Sequence, residues 1–492
     1  MIRKKIIAVL ALTSILGALE IYPQNIFLDR YELIPPLGKI KSIATSIDKV
    51  FAVSDNYLLI FDKKSLELLR TTYFKKEISL VGYDPFADEL WISGVYSIIR
   101  YNFHLGTVRE YGFPGVINGI GFDQQRVYIS SQKKYAMDRI NGNLEVVPQF
   151  PENVIWYKNF EKKQLNEYIF LTPYFYQDSL MQTNNPFHRY EITALYDEGQ
   201  ELYVGTDQYG ILRYNKITMF RERIIYGPLV TRGVKLKKIA TDYFFISSAG
   251  ISLLKSEDIK NWYYFRLSGD PSDFLYINGD YIVSFGNQIA SIRGAMTTPI
   301  AYFKNKIITI NFDGMNIYVG TNNGMFKILR DTNEPLDFGP NRYPVYVIYP
   351  MDDQILVGGE HATYQYDRQQ NRWFQIMPWG TRDICKLKSS LYFLTHENQL
   401  IKYPLFADSS AKEGDTVPSI LPYFNIYDVD TDGEVLYCAT GSGINYFEPL
   451  SANYNPIYNL PRIKYNHVAV VDEYIIAVSD ENIYRLARKY RD

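Results

Sequence analysis

Ile192-Thr193-Ala194-Leu195-Tyr196-Asp197-Glu198-Gly199-Gln200-Glu201-Leu202-Tyr203-Val204-Gly205-Thr206, followed by Gly210-Ile211-Leu212-Arg213-Tyr214-Asn215, holds three short apolar runs separated by turn residues. Runs of this length, rich in β-branched and aromatic residues and broken by Asp, Gly and Asn, read as antiparallel strands joined by hairpins. The second run returns along the chain. Ile317-Tyr318-Val319-Gly320-Thr321 and Leu436-Tyr437-Cys438-Ala439-Thr440 are its clearest copies. Weaker ones are Val50-Phe51-Ala52-Val53-Ser54, Leu90-Trp91-Ile92-Ser93, Val127-Tyr128-Ile129-Ser130, Ile355-Leu356-Val357-Gly358-Gly359, Leu391-Tyr392-Phe393-Leu394-Thr395 and Ile475-Ile476-Ala477-Val478-Ser479. Phe244-Phe245-Ile246-Ser247 and Tyr281-Ile282-Val283-Ser284 bring the number to eleven. The period is about 38 residues, within the range of blade-forming repeats.

Upstream of each copy lies another apolar strand, as at Ile307 to Ile310 and Ile426 to Val429. Downstream comes a third that ends in an aromatic, as at Leu212-Arg213-Tyr214, Ile99-Arg100-Tyr101 and Tyr364-Gln365-Tyr366, and then a less regular fourth. Four antiparallel strands per period predict a propeller blade, because one small sheet buries both faces only when neighbours stack on it. Glycines after the second strand are expected to supply positive φ to the turn. Twice the usual spacing across Pro151 to Tyr190 predicts a degenerate twelfth unit, with Asn184-Asn185-Pro186 as a loop. The expected fold is therefore all-β, a β-propeller of about twelve four-stranded blades spanning 20–492. Blade counts this high exceed the usual four to eight, so two propellers are expected, with the internal boundary near 150–190; one large ring is the alternative. Tyr31-Glu32-Leu33-Ile34 precedes the first unit as an orphan strand, while the last unit supplies only three. Pairing them closes a ring and removes a sheet edge.

The unit from Ile192 to Asn215 resembles the two-component regulator propeller repeat, and Ile307 to Leu329 and Ile426 to Phe447 resemble it less closely. The resemblance implies a β-propeller of the kind found in periplasmic sensor regions of histidine kinases and in exported surface or secretion-associated proteins. The kinase and membrane-spanning parts of such receptors are not expected here, which leaves a detached ligand- or protein-binding propeller.

Composition agrees with a large β core: 47% of residues are hydrophobic and 44 of the 492 are tyrosine, a residue that suits a pleated, half-buried surface. Fifty-two basic against 54 acidic residues give a net charge of −2, which excludes the basic excess of a nucleic-acid binder. Arg3, Lys4 and Lys5 precede an uncharged stretch from Ile6 to Leu19. As a helix it would rise ~21 Å against the ~30 Å of a hydrocarbon core, so residues 1–19 read as a cleaved signal peptide and no stable membrane span is expected. The expected location is periplasmic or extracellular. Cys385 and Cys438 fall in strands of different units and are expected as buried, unpaired thiols.

Asp428-Val429-Asp430-Thr431-Asp432-Gly433-Glu434 begins like a calcium loop, but position twelve is Ala439 instead of the bidentate glutamate, so a turn is expected. After the second strand the units place Asp207, Asn322, Glu360 and His396, with His361 and Glu397 beside the last two. These six are the ligand-binding candidates: on one face they would ring a channel mouth, where loops on a rigid scaffold carry specificity. The simpler alternative is that they cap the turn. No catalytic residue, metal site or cofactor is assigned. The expected function is a non-enzymatic, exported propeller that binds a protein or an extracellular polymer, scaffold or sensor-like. The alternative is a carbohydrate-active hydrolase or lyase with carboxylates at a channel mouth, whose signature is a spatial separation and not a sequence spacing.

Overall fold

The computed structural model describes residues 31–171, 175–177, 181–182, 187–255, 258–266, 270–293, 296–329, 333–340, 342–404, 419–420, 425–449 and 453–490. The expected signal peptide and the Asn184 to Pro186 loop lie outside them. Among the described residues eleven sheets of four or five strands, antiparallel but for the short strand Met181–Gln182, form the blades, and a further two-stranded sheet pairs Phe175–Gln177 with Phe187–Arg189. Of the stretch read as a twelfth unit, Ile155–Lys158 instead joins the 119–146 sheet as a fifth strand, on the free side of Gly119–Phe122. Among the described residues no helix is long and apolar enough to cross a membrane.

The repeated second strand is buried along nearly its whole length, as in Glu201–Thr206 and Gln354–Gly359. It is the middle of a sheet sandwiched on both faces, which is why it reads as a continuous apolar run. Its terminal hydroxyl closes the next turn: Thr206 Oγ1 donates to the Gly210 carbonyl at 2.6 Å, Thr321 to Gly324 at 2.9 Å and Thr440 to Gly443 at 2.7 Å. Gly210 and Gly324 have φ of 90° and 99°, so the expected positive φ falls at the start of the third strand. The glycine inside the second strand serves a different end. A Cβ on Gly320 would lie 2.7 Å from Val345 of the next blade, and one on Gly358 would overlap the Thr381 carbonyl oxygen. Gly358→Ala must push the 381–420 blade off its neighbour, and a loss of about 1–3 kcal/mol in urea unfolding is expected.

The chain divides into two compact units, 35–175 with 189–226, and 30–34 with 176–188 and 227–492. In the first, blades 40–73, 78–112 and 119–146 follow one another, and the 192–224 blade packs against the 40–73 blade. Tyr157 on the inserted strand stacks on Tyr196 of the 192–224 blade, ring centroids 5.6 Å apart and planes 4° from parallel, which joins the last blade to the third.

In the second unit seven blades follow in order: 235–265, 271–302, 307–337, 345–377, 381–420, 426–456 and 465–487. The first meets the last. Tyr243 donates to the Val471 and Tyr474 carbonyls at 3.2 Å, and Lys238 reaches Asp430 at 2.7 Å and the Val470 carbonyl at 3.0 Å. Tyr31–Ile34 forms the outer strand of the seventh blade, with Tyr31 opposite Leu486 and Ile34 opposite Ile483. The orphan strand and the three-stranded last unit thus pair as expected.

Successive blades are also tied by side chains. Asp313 accepts the Met315 and Asn316 amides, the Tyr318 hydroxyl at 2.8 Å and Arg368 of the next blade at 2.9 Å. Burial raises this carboxyl, but the hydrogen bonds and Arg368 outweigh it and hold it at about 2. Asp432, Tyr437 and Arg488 repeat the arrangement one seam before closure.

Candidate functional site

In the first unit a cavity of about 270 Å³ opens between the inner strands Ile40–Thr45 and Ile192–Glu198 and the inserted strand Ile155–Lys158. Trp156, Phe160, Tyr196, Lys41, Lys158 and Gln164 are among its walls. Its one carboxylate, Asp197, is already engaged by Lys216 at 2.7 and 2.8 Å and by the Tyr168 hydroxyl at 2.5 Å. Lys41 is drawn to Glu77 at 3.1 Å. Two opposed carboxylates, the requirement of most glycoside hydrolysis, are not provided. Asp207 belongs to this unit and serves backbone pairing: its amide donates to Glu191 and it bridges Lys39.

The other five candidates lie in the second unit, at the turns between second and third strands. Three come together. His361 Nε2 is 3.8 Å from Glu360 Oε2, and His396 of the next blade interacts electrostatically with both. The His396 ring meets Tyr346 edge-on at 4.4 Å and bonds the Gly359 backbone, while Nε2 is buried without a hydrogen-bond partner. Burial lowers its pKa, opposed by the Gly359 bond and reinforced by Arg382, so the neutral ring is favoured. A Cβ on Gly380 would overlap the Glu360 carbonyl, which shows how tightly these turns are pressed. Asn322 and Glu397 are exposed on their turns. The turns themselves are capped by the preceding Thr or Ser: Thr321 Oγ1 accepts the Asn323 amide at 3.1 Å and Ser479 Oγ the Asn482 amide at 2.9 Å.

Charged side chains also stand on the inner strands of the second unit. Asp428, Asp430 and Asp432 do not converge. Asp428 accepts Val468 N at 2.9 Å and meets His467 Nδ1 at 3.2 Å; Asp430 accepts Val470 N at 2.7 Å and Lys238; Asp432 serves its own turn. Only the end of the segment is a turn, because Ile426–Thr431 is an inner strand. Asp273, on Pro271–Ile277, joins Lys237 at 2.6 Å, Thr309 Oγ1 at 2.9 Å and Ile310 N at 2.9 Å. The legible signal for these residues was polar alternation, Lys235-Leu236-Lys237 and Asp428-Val429-Asp430, on a strand whose other face is core. Among the described residues no three His, Cys, Asp or Glu are grouped to hold a metal ion. Cys385 and Cys438 are buried free thiols of one apolar cluster, and burial raises both.

No protein-family model matches the chain, and no curated protein matches its sequence. Solved structures similar to it include a computationally designed protein, Ika8, at 10% identity and a TM-score of 0.41, covering 63% of this chain and 99% of that one. The extracellular domain of a hybrid two-component system from B. thetaiotaomicron is similar at 10% identity and a TM-score of 0.42, covering 92% and 70%. PorZ, a surface component of the type-IX secretion system of Porphyromonas gingivalis, is similar at 11% identity and 0.34, covering 94% and 81%.

Proposed function

We propose that the protein is an exported, non-enzymatic propeller that binds a protein or an extracellular polymer, as a scaffold or the sensing part of a larger system. The observation that carries this reading is a set of apolar side chains on one face of the first unit. Turns between first and second and between third and fourth strands open on the same face, because strands alternate in direction. On that face Ile47 is 95% exposed, Leu105 60%, Ile140 76% and Ile217 70%. The tips are built to stand out: Asn102, Asp138 and Asn215 each accept two amides of their own turn, so the apolar residue is held clear of the blade. Each of the first unit's four blades thus presents an exposed apolar side chain at this face.

Replacing Leu105, Ile140 and Ile217 together by aspartate leaves the fold intact, since all three are exposed. The immobilised wild type should retain a component of the native envelope fraction that the triple variant loses by tenfold or more. Equal retention by both, or turnover of envelope glycan by the wild type, would refute the reading.

A further inference from the structure

Two inner strands of the second unit are stapled to the next blade at the same place, the first residue after a register shift at the strand's start. Asp273 occupies it in the second blade, Asp383 in the fifth and Asp428 in the sixth. Asp273 accepts the amide of Ile310 on the next blade, and Asp428 that of Val468. Val429 is the corresponding residue for Asp383, yet among the described residues Asp383 makes no bond to it and accepts only its own neighbour, Ile384 N, at 2.8 Å. What faces it across the seam is Asp428, already committed to the seventh blade.

From this missing staple we propose that the seam between the 381–420 and 426–456 blades is a proton-controlled joint, tight while Asp383 holds a proton and loosened when it ionises beside Asp428. The groups around it support the assignment. On its own strand are Arg382 and Cys385; Tyr349 faces it from the blade before, Asp428 and Asp430 from the blade after, and Lys235 and Lys237 act from the first blade. Arg382 is turned to the mouth, donating to Asn398 Oδ1, Ile426 O and Tyr427 O. Lys237 is held by Asp273, Lys238 by Asp430, and Lys235 reaches Ser272 O at 3.3 Å. No cation is therefore bonded to Asp383, and burial and then Asp428 raise its carboxyl to about 7. The joint lies beneath the turns that carry Glu360, His361 and His396, because Arg382 ties the seam to the 396–399 turn. Its opening would reshape that mouth whatever the mouth binds.

Hydrogen exchange of the full chain, read by mass spectrometry on peptides covering Thr381–Leu387 and Ile426–Thr431 and corrected for intrinsic rates, tests the proposal. From about pH 5 upward protection should fall, by up to about tenfold per pH unit, and level off above the midpoint at about 7, where Asp383 is ionised in both states. Asp383→Asn keeps the shape and removes the charge, so it should hold protection constant and melt higher at pH 8.5. Asp428→Asn should flatten the profile too, at some cost to the next seam. The proposal is overturned if wild type shows no such fall, if Asp383→Asn keeps it, or if millimolar calcium abolishes it, which would make the pair a cation site.

Discussion

Asp273→Ala is expected to lower the unfolding free energy by about 3–5 kcal/mol, the cost of removing one partner from a buried ion pair. The carboxylate is 1% exposed and is shared by three blades. It pairs with Lys237 of the blade before and accepts Thr309 Oγ1 and Ile310 N of the blade after. Truncation leaves an amide and a hydroxyl unpaired and Lys237 without its counter-ion, although a side chain 23% exposed can relax toward solvent. The pH dependence has a definite sign. Burial works to raise Asp273, but Lys235, Lys237 and the Ile310 amide prevail and hold it at about 2, below the ordinary 3.8. A depressed carboxyl stabilises fully above the unfolded value and loses that contribution as pH falls through the folded one. The gap between wild type and Asp273→Ala, measured by urea unfolding, should be constant above pH 5 and narrow as pH drops toward 2. Asp273→Asn should be milder, since an amide oxygen still accepts Ile310 N. A gap under about 1 kcal/mol at pH 7 would show that the staple is not what locks these three blades.

The same chemistry explains what the sequence disclosed and what it hid. Strands and blades were legible because a sheet buried on both faces forces continuous apolar runs, and Leu202 to Thr206 is such a run. The hydroxyl and glycine that follow were legible as turn signals, though the glycine of Tyr318-Val319-Gly320 reports the approach of Val345 and not a turn. Trp156 and Tyr157 have the residue types of a strand in a blade of its own, while the pairing of Ile155–Lys158 with Gly119–Phe122 is a long-range choice that local pattern does not show. Sites were harder. Glu360, His361 and His396 met because matching turns of adjacent blades meet, but Asn322 and Glu397 share the pattern without the proximity. The inner-strand carboxylates showed only as polar alternation, and Asp428 and Asp430 looked like a loop. Whether a carboxylate is stapled or bare depends on the next strand, some forty residues on, which local pattern does not encode.

Loss of the closing strand should be the other large effect. Deleting Tyr31 to Ile34 is expected to destabilise the second unit by about 4 kcal/mol or more, with concentration-dependent association of the product. Ile34 is 6% exposed, Tyr31 and Leu33 pack on the apolar cluster of the last two blades, and Tyr31 meets Tyr484 edge-on at 5.4 Å. Two or three apolar side chains at about 1.5–3 kcal/mol each account for the magnitude. Removing them bares Ile483 to Leu486 as an unpaired edge, a template for another chain. Glu32→Ala separates closure from surface charge: its side chain is 65% exposed and its pair with Arg485 lies outside, so a change within about 0.5 kcal/mol is expected. The strand joins residues some 450 apart, and such a loop is costly to close. Its worth is therefore realised only after the other six blades have formed, which places its effect on unfolding more than on refolding. Thermal unfolding with light scattering reads both consequences, and an unchanged melting temperature would show that the seventh blade is stable without its outer strand.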